Sequence, residues 1–216
     1  SSSANGGFFM ASGGNLNIGT RAWGMYANGG YVSYALRNFT NKLEVGQTCS
    51  MRMQNNWIHS GGGVGVALQN GSGSNLWQFW FTGGETYYRM TGQDSTGIGW
   101  SSNGFTLAVT LTGTNSYSAK VVQGSTTNTF TGTLGGGSSS RDIVRLRFWN
   151  SNAGSGSGYN SYFNDIEIRS AAGTGDTCSA SVTVVREAAP VVLRISEFMS
   201  SNTDTARDED GNSEDW

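Results

Sequence analysis

Gln78, Trp80, Tyr87 and Arg89 are residues whose types and spacing suit one kind of chemistry. They flank Gly83-Gly84 within the run Asn75 to Met90, NLWQFWFTGGETYYRM. Two adjacent glycines suit the type I′ turn of a tight β-hairpin. Folding the run there sets Thr82 opposite Glu85, Trp80 opposite Tyr87, Phe79 opposite Tyr88, Gln78 opposite Arg89 and Trp77 opposite Met90. Strand side chains alternate between faces, and cross-strand partners share a face. Trp77, Phe79, Tyr88 and Met90 then form a core face. Gln78, Trp80, Tyr87 and Arg89 form the other, which mixes flat aromatics with planar hydrogen-bonding groups, as a sugar ring requires. The competing reading is that Trp80 and Tyr87 merely pack under a loop.

Two further strands carry outward residues of the same kind. Val45 to Ile58 alternates Met51 and Met53 against Arg52, Gln54 and Asn56. Arg141 to Asn150 alternates Val144, Leu146 and Phe148 against Arg145, Arg147 and Trp149. Arginine forks match carboxylates bidentately, and aromatic faces stack against apolar ring faces. If these strands share a sheet, all ten outward residues line one face. If they lie in opposite sheets, the set is split.

Metal and phosphate chemistry find less support. DEDGN at Asp208 to Asn212 supplies only part of an EF-hand loop and reads as a solvated acidic loop. The Gly61–Gly63 and Gly135–Gly137 runs precede neither a helix nor G-K-S/T, so they are not phosphate loops. Cys49 and Cys178 could join an early strand to the end of the domain as a disulfide, or remain two thiols.

The elements that must position these residues are short strands. The chain has 216 residues, with 33 Gly, 1 Pro and 12% aromatics, too aromatic for a solvated tail. Apolar runs broken by Gly, Ser and Asn predict an antiparallel all-β fold with no sustained helical period. Gly7 to Met10 and Ala22 to Tyr26 are early strand segments. Tyr31 to Phe39 alternates Val32, Tyr34 and Leu36 against Ser33, Ala35 and Arg37, and Val64, Val66 and Leu68 mark another strand. Phe105 to Thr112 and Ser116 to Gln123 pair across Gly113-Thr114-Asn115, with Leu111 opposite Tyr117, Val109 opposite Ala119 and Leu107 opposite Val121. Thr127 to Leu134 and Tyr162 to Ile168 complete a count of ten or more strands, which suits a large two-sheet jelly roll.

Residues 1–170 hold ten Lys/Arg against six Asp/Glu, a net +4, whereas 171–216 hold three against nine, a net −6. Charge therefore marks a boundary near residue 171, with 171–190 as a linker or terminal strand. A +4 spread over 170 residues is no basic stripe, which argues against nucleic acid. No run approaches membrane-spanning length. The sequence reads as a piece excised from a longer secreted or cell-surface chain.

The Gly-rich opening, the alternating strands, WQFWF with its hairpin, and the closing YFNDIEI together resemble the concanavalin A-like jelly rolls over residues 5–170. That resemblance implies an all-β, two-sheet antiparallel sandwich, with sugar binding as a superfamily tendency. Residues 191–216, VVLRISEFMSSNTDTARDEDGNSEDW, resemble the start of a bacterial lamin-tail domain through Ile195, Glu197, Phe198, Met199, Asn202, Asp208, Gly211, Asp215 and Trp216. Such domains accompany other extracellular modules.

Many jelly rolls of this kind are glycoside hydrolases, which need two carboxyls roughly 5–5.5 Å apart for retaining chemistry. The pattern E-x-D-x-E is absent. Asp165 and Glu167 have i, i+2 spacing, but the resemblance makes their strand structural. His59 in NWIHS is loosely similar to the Q-I-H of alginate-lyase-like enzymes, whose R-S-E-L-R and K-x-G-x-Y-x-Q segments have no counterpart here. Asp165 is a calcium candidate, because such modules often tie their termini with that ion. No other cofactor is implied. The sequence thus predicts a non-catalytic module binding a polysaccharide or cell-surface glycan, its arginines favouring an anionic polymer. A structural or adhesive module, or a glycoside hydrolase or polysaccharide lyase, are the alternatives.

Overall fold

Twelve short strands between Gly6 and Arg169 follow from the alternation of the sequence and from the glycine-rich turns that end each run. The computed structural model describes residues 5–12, 16, 21–137 and 140–170, and the backbone of 193–194. The strands are β1 (Gly6–Ala11), β2 (Ala22–Ala27), β3 (Val32–Asn38), β4 (Thr48–Asn55), β5 (Gly63–Gln69), β6 (Asn75–Thr82), β7 (Arg89–Met90), β8 (Phe105–Gly113), β9 (Ser116–Gln123), β10 (Thr126–Thr133), β11 (Arg145–Ser151) and β12 (Ser161–Arg169). A single 3₁₀ turn, Ser157–Tyr159, is the helix among the described residues.

Two antiparallel sheets form a sandwich. One runs β1-β2-β12-β4-β8-β9-β10, and the other β3-β11-β5-β6-β7. The chain crosses repeatedly between them, so sequence neighbours such as β4 and β5 lie in different sheets. This is the expected all-β jelly-roll architecture. Leu193–Arg194, β13, pairs with β12 opposite Glu167 and Ile168. The rest of the proposed linker and lamin-tail segment, with Cys178 and Asp208, lies outside the described residues. No helix among the described residues is long and apolar enough to cross a membrane.

The core is aromatic, and its rings join the sheets. Phe79 stacks on Tyr88 at 4.8 Å, and both meet Phe105 of the opposite sheet edge-on at 5.5 and 4.6 Å. Phe148 stacks on Phe163 across the sandwich at 4.2 Å, and Trp77 meets Tyr117 at 6.4 Å. Such offset and edge-to-face pairs add about 0.5–1.5 kcal/mol beyond burial. The Tyr88 hydroxyl donates to the Asn55 side chain, and burial pushes this phenol's pKa upward. Cys49 is fully buried, which raises its thiol to about 12. A small satellite of Leu16, Ala22, Tyr162 and Phe9 packs on the outer side of the eight-stranded sheet.

The β8–β9 hairpin has the register read from its sequence, with Leu107, Val109 and Leu111 facing Val121, Ala119 and Tyr117. The β6–β7 hairpin does not. Phe79 pairs with Met90 and Trp80 with Arg89, a displacement of two residues. The cause is tertiary: the Tyr88 N–H donates to Ile98 O at 2.9 Å and Tyr88 O accepts from Thr96 N at 3.1 Å. Tyr87 likewise bridges Gly99, so the loop captures the residues expected to extend β7. A shift of two preserves which face each side chain takes. Trp77, Phe79, Tyr88 and Met90 are accordingly all buried. The turn also differs from type I′. Glu85 N donates to Thr82 O at 3.1 Å, and of the two glycines only Gly84, at φ 93°, is left-handed, as a type II turn requires.

Candidate functional site

The ten outward residues fall into three groups. Gln78, Trp80, Arg89, Arg145, Arg147 and Trp149 lie on strands of the five-stranded sheet. Arg52 and Gln54 lie on β4 in the opposite sheet. Gln54 is also buried, at 3% exposure. Asn56 follows β4, and its Nδ2 donates to Ser157 O at 2.9 Å. Tyr87 sits beyond the β6–β7 ladder and is 45% exposed. The single face of ten residues is therefore corrected to six. The divergence arises because β4 and β5, adjacent in sequence, cross between sheets.

Three of the six, Trp149, Trp80 and Arg89, fall in one register row. Tyr34 of β3 is opposite Trp149 of β11, which is opposite Gly65 of β5, then Trp80 of β6, then Arg89 of β7. At 4.7–4.9 Å per strand this row is about 19 Å long. Gly65 is what makes the row flat. A Cβ there would lie 2.7 Å from Trp80 Cβ and 2.9 Å from Trp149 Cζ2, and one at Gly63 would lie 3.0 Å from Trp149 Cζ3. The benzo ring of Trp149 therefore lies across the bare backbone of β5.

Beside the aromatics runs a polar strip. Arg145 Nε donates to Gln69 Oε1 at 2.9 Å, Gln69 Nε2 to Asn75 Oδ1 at 2.6 Å, and Asn75 Nδ2 to Gln78 Oε1 at 2.8 Å. The chain of amides spans β11, β5 and β6 and orients the Gln78 carboxamide. Arg147 lies between row and strip, with its guanidinium carbon 5.1 Å from the centre of the Tyr34 ring. Burial lowers the pKa of Arg147, Tyr34 opposes that shift, and the nearby Arg145 charge adds to it. The group stays charged at any ordinary pH.

None of the five strands of this sheet contains Asp or Glu. Ion pairs among the described residues include Lys42–Asp142, Arg89–Glu85 and Arg169–Glu167. Arg145 and Arg147 thus present two cations without a carboxylate partner among the described residues. Arg89 does not, because Glu85 holds it bidentately at 2.6 and 2.7 Å.

β3 adds residues that the sequence reading left unassigned. Val32, Tyr34 and Leu36 are 47%, 52% and 38% exposed, whereas Ser33 and Ala35 face inward. An apolar alternation by itself would have pointed the larger set to the core. The register with β11 decides otherwise, because Ala35 is opposite Phe148. Trp57 and Trp100, 63% and 42% exposed, were also missed as candidates. Their signal, lone tryptophans in Gly/Ser/Asn loops, was present in the sequence.

The other candidates have other surroundings. Asp165 and Glu167 do not face each other, because a bulge between Asn164 and Glu167 breaks the alternation and turns Asp165 into the left-handed region at φ 54°. Asp165 is exposed, while Glu167 is buried at 6% and its Oε2 lies 2.6 Å from Arg169 Nη2. Among the described residues no three His, Cys, Asp or Glu gather as a metal site. His59 is exposed, its Nδ1 2.8 Å from Ser60 O.

No protein-family model matches the chain, and no curated protein sequence does. Solved structures of similar fold include a legume lectin-like domain from Entamoeba histolytica, with TM-score 0.45, 11% identity, and coverage of 76% of this chain and 89% of that one. A glycosyl hydrolase family 16 protein from Mycobacterium smegmatis gives 0.39, 10%, and 74% of each chain. Scytalido-glutamic peptidase gives 0.39, 14%, and 64% of this chain against 79% of that one. The similarity is one of sandwich architecture.

Proposed function

We propose that the outer face of the five-stranded sheet binds an acidic polysaccharide without cleaving it, in a carbohydrate-binding module of a secreted or surface protein. The observation that carries this reading is the row Tyr34–Trp149–Gly65–Trp80, flanked by Arg145 and Arg147 on strands that hold no acidic residue. The flat indoles supply stacking surface for sugar rings, Gln78, oriented through Asn75 and the buried Gln69, supplies an amide, and the arginines supply charge for uronate or sulfate groups. The row extends about 14 Å from strand spacing, which suits an oligomer rather than a single ring. The strands of the face offer binding groups and no carboxylate pair, which supports a module that holds its ligand rather than hydrolyses it.

Calorimetry of the protein with pectin, alginate and a neutral glucan at two ionic strengths tests the proposal. The two acidic polymers should bind, with affinity falling as salt rises, because exposed charges are screened over about 8 Å at physiological ionic strength. Equal binding of the neutral glucan removes the anionic preference and leaves a stacking face. Absence of all binding overturns the carbohydrate reading and favours a protein-contact role for the exposed Val32, Tyr34 and Leu36.

A further inference from the structure

At one end of the sandwich the loop after β4, the β6–β7 turn and the loop before β8 meet around a cleft of about 230 Å³. Trp57 and Trp100 line it with Ile58, Phe81, Glu85 and Thr86. The two indoles are 6.5 Å apart and inclined at 76°, so they form a corner rather than a platform. Each wall is fixed. Trp57 N donates to Gly158 O at 3.0 Å, and the Trp100 indole N–H donates to Asn55 O at 2.9 Å. Gly83 lets the hairpin turn close on the first loop, since a Cβ there would lie 1.9 Å from His59 O. The corner is therefore preformed, and yet both indoles remain open to solvent at 63% and 42% exposure. Tryptophans left this exposed at a cleft suit a ligand site.

We infer that this cleft is a second carbohydrate site, taking one terminal neutral pyranose residue. Its volume falls below the roughly 300–1,000 Å³ of pockets for drug-sized ligands, which limits it to about one ring. The aromatic corner supplies apolar contact to the ring, and Glu85 supplies acceptors for its hydroxyls. The alternative occupant of an aromatic corner with a carboxylate is a quaternary ammonium ion. Glu85 argues against it. Arg89 engages both of its oxygens at 2.6 and 2.7 Å, which compensates the charge a cation would need and leaves lone pairs for hydroxyl donors. The inference shares its ligand class with the sheet-face reading but none of that face's aromatic residues.

The test follows the indole N–H signals of the ¹⁵N-labelled protein as methyl glucoside, methyl galactoside, methyl mannoside and tetramethylammonium are added into the millimolar range. At least one glycoside should shift Trp57 and Trp100 and leave Trp149 unmoved, and Trp57→Ala should weaken that glycoside about tenfold or more. Because Trp57 is mostly exposed, the variant should keep the remaining signals in place; Trp57→Phe, which retains an aromatic face, should recover part of the affinity. Shifts with tetramethylammonium and none with the glycosides would overturn the sugar assignment, and so would no shift with any probe. Acidic polymer bound through Trp149 while the glycosides leave Trp57 and Trp100 unmoved defeats the cleft and spares the sheet face. The reverse pattern spares the cleft and defeats the face.

Discussion

The outer faces of the two sheets are built from the same alternation and differ in what they present. On the β4–β10 half of the eight-stranded sheet, beyond the Phe9–Tyr162 satellite, register lines up Thr48, Thr110, Ser118 and Thr131 across β4, β8, β9 and β10, with the Thr48 and Thr110 hydroxyls 2.7 Å apart. The next row holds Ser50, Ala108, Lys120 and Thr129. Lys120 apart, these are short side chains, the polar ones able to satisfy one another or water. On the five-stranded sheet the corresponding rows hold two tryptophans, a tyrosine and two arginines without carboxylate partners among the described residues. A solvated sheet face needs only polar cover, and the hydroxyl rows meet that need at low side-chain entropy. Large aromatics on a solvated face are not needed for cover, which is why the difference points to a ligand.

The inner faces should behave alike, and that similarity is the control for the comparison. Phe79→Ala in one sheet and Phe105→Ala in the other should each lower unfolding stability by about 3–5 kcal/mol, since the two rings pack on each other. Urea titration checks this, and a several-fold disparity would show that the sheets do not share one core. Gly65→Val should follow with about 1–3 kcal/mol of overpacking, because its side chain would enter the space of Trp149 and Trp80. The same variant should also lose polysaccharide binding. Ala108→Val, on the opposite outer face, should do neither.

Smaller effects separate stacking from charge. Trp149→Ala should weaken binding of the acidic polymers about tenfold at every salt concentration, the size of a ~1.4 kcal/mol contact. Thr129→Ala on the hydroxyl face should leave calorimetric affinity unchanged; an equal loss there would erase the distinction between the faces. Arg147→Ala should weaken binding by at most about fivefold, from 0.2–1 kcal/mol per exposed pair, and flatten the salt dependence. Arg89→Ala combined with Glu85→Gln should leave the salt slope nearly as it was, because the Arg89–Glu85 pair is neutral as a unit. A larger salt effect from removing this pair than from Arg147→Ala would invert the assignment.

Local pattern determined a good deal by itself. The β8–β9 hairpin was legible to the residue because a short turn ties adjacent strands and each pair agrees in polarity. The core faces of β6 and β11 were legible for the same reason, as were Trp80, Arg145, Arg147 and Trp149 as outward residues. Period two assigns a side chain to a face without knowing its neighbours. What period two cannot give is the sheet to which a strand belongs. Arg52 and Gln54 separated from Arg147 because β4 pairs with β8 and β12, partners more than fifty residues away. Val32, Tyr34 and Leu36 turned outward because β11, over a hundred residues on, set the register of β3. The two-residue shift at Trp80 came from hydrogen bonds between Tyr88 and a loop beyond the hairpin. The Trp57–Trp100 corner exists only where three loops converge. Local alternation is a property of the backbone geometry and can be read from the chain, whereas sheet membership and loop convergence depend on contacts between distant residues and are settled only in the folded sandwich.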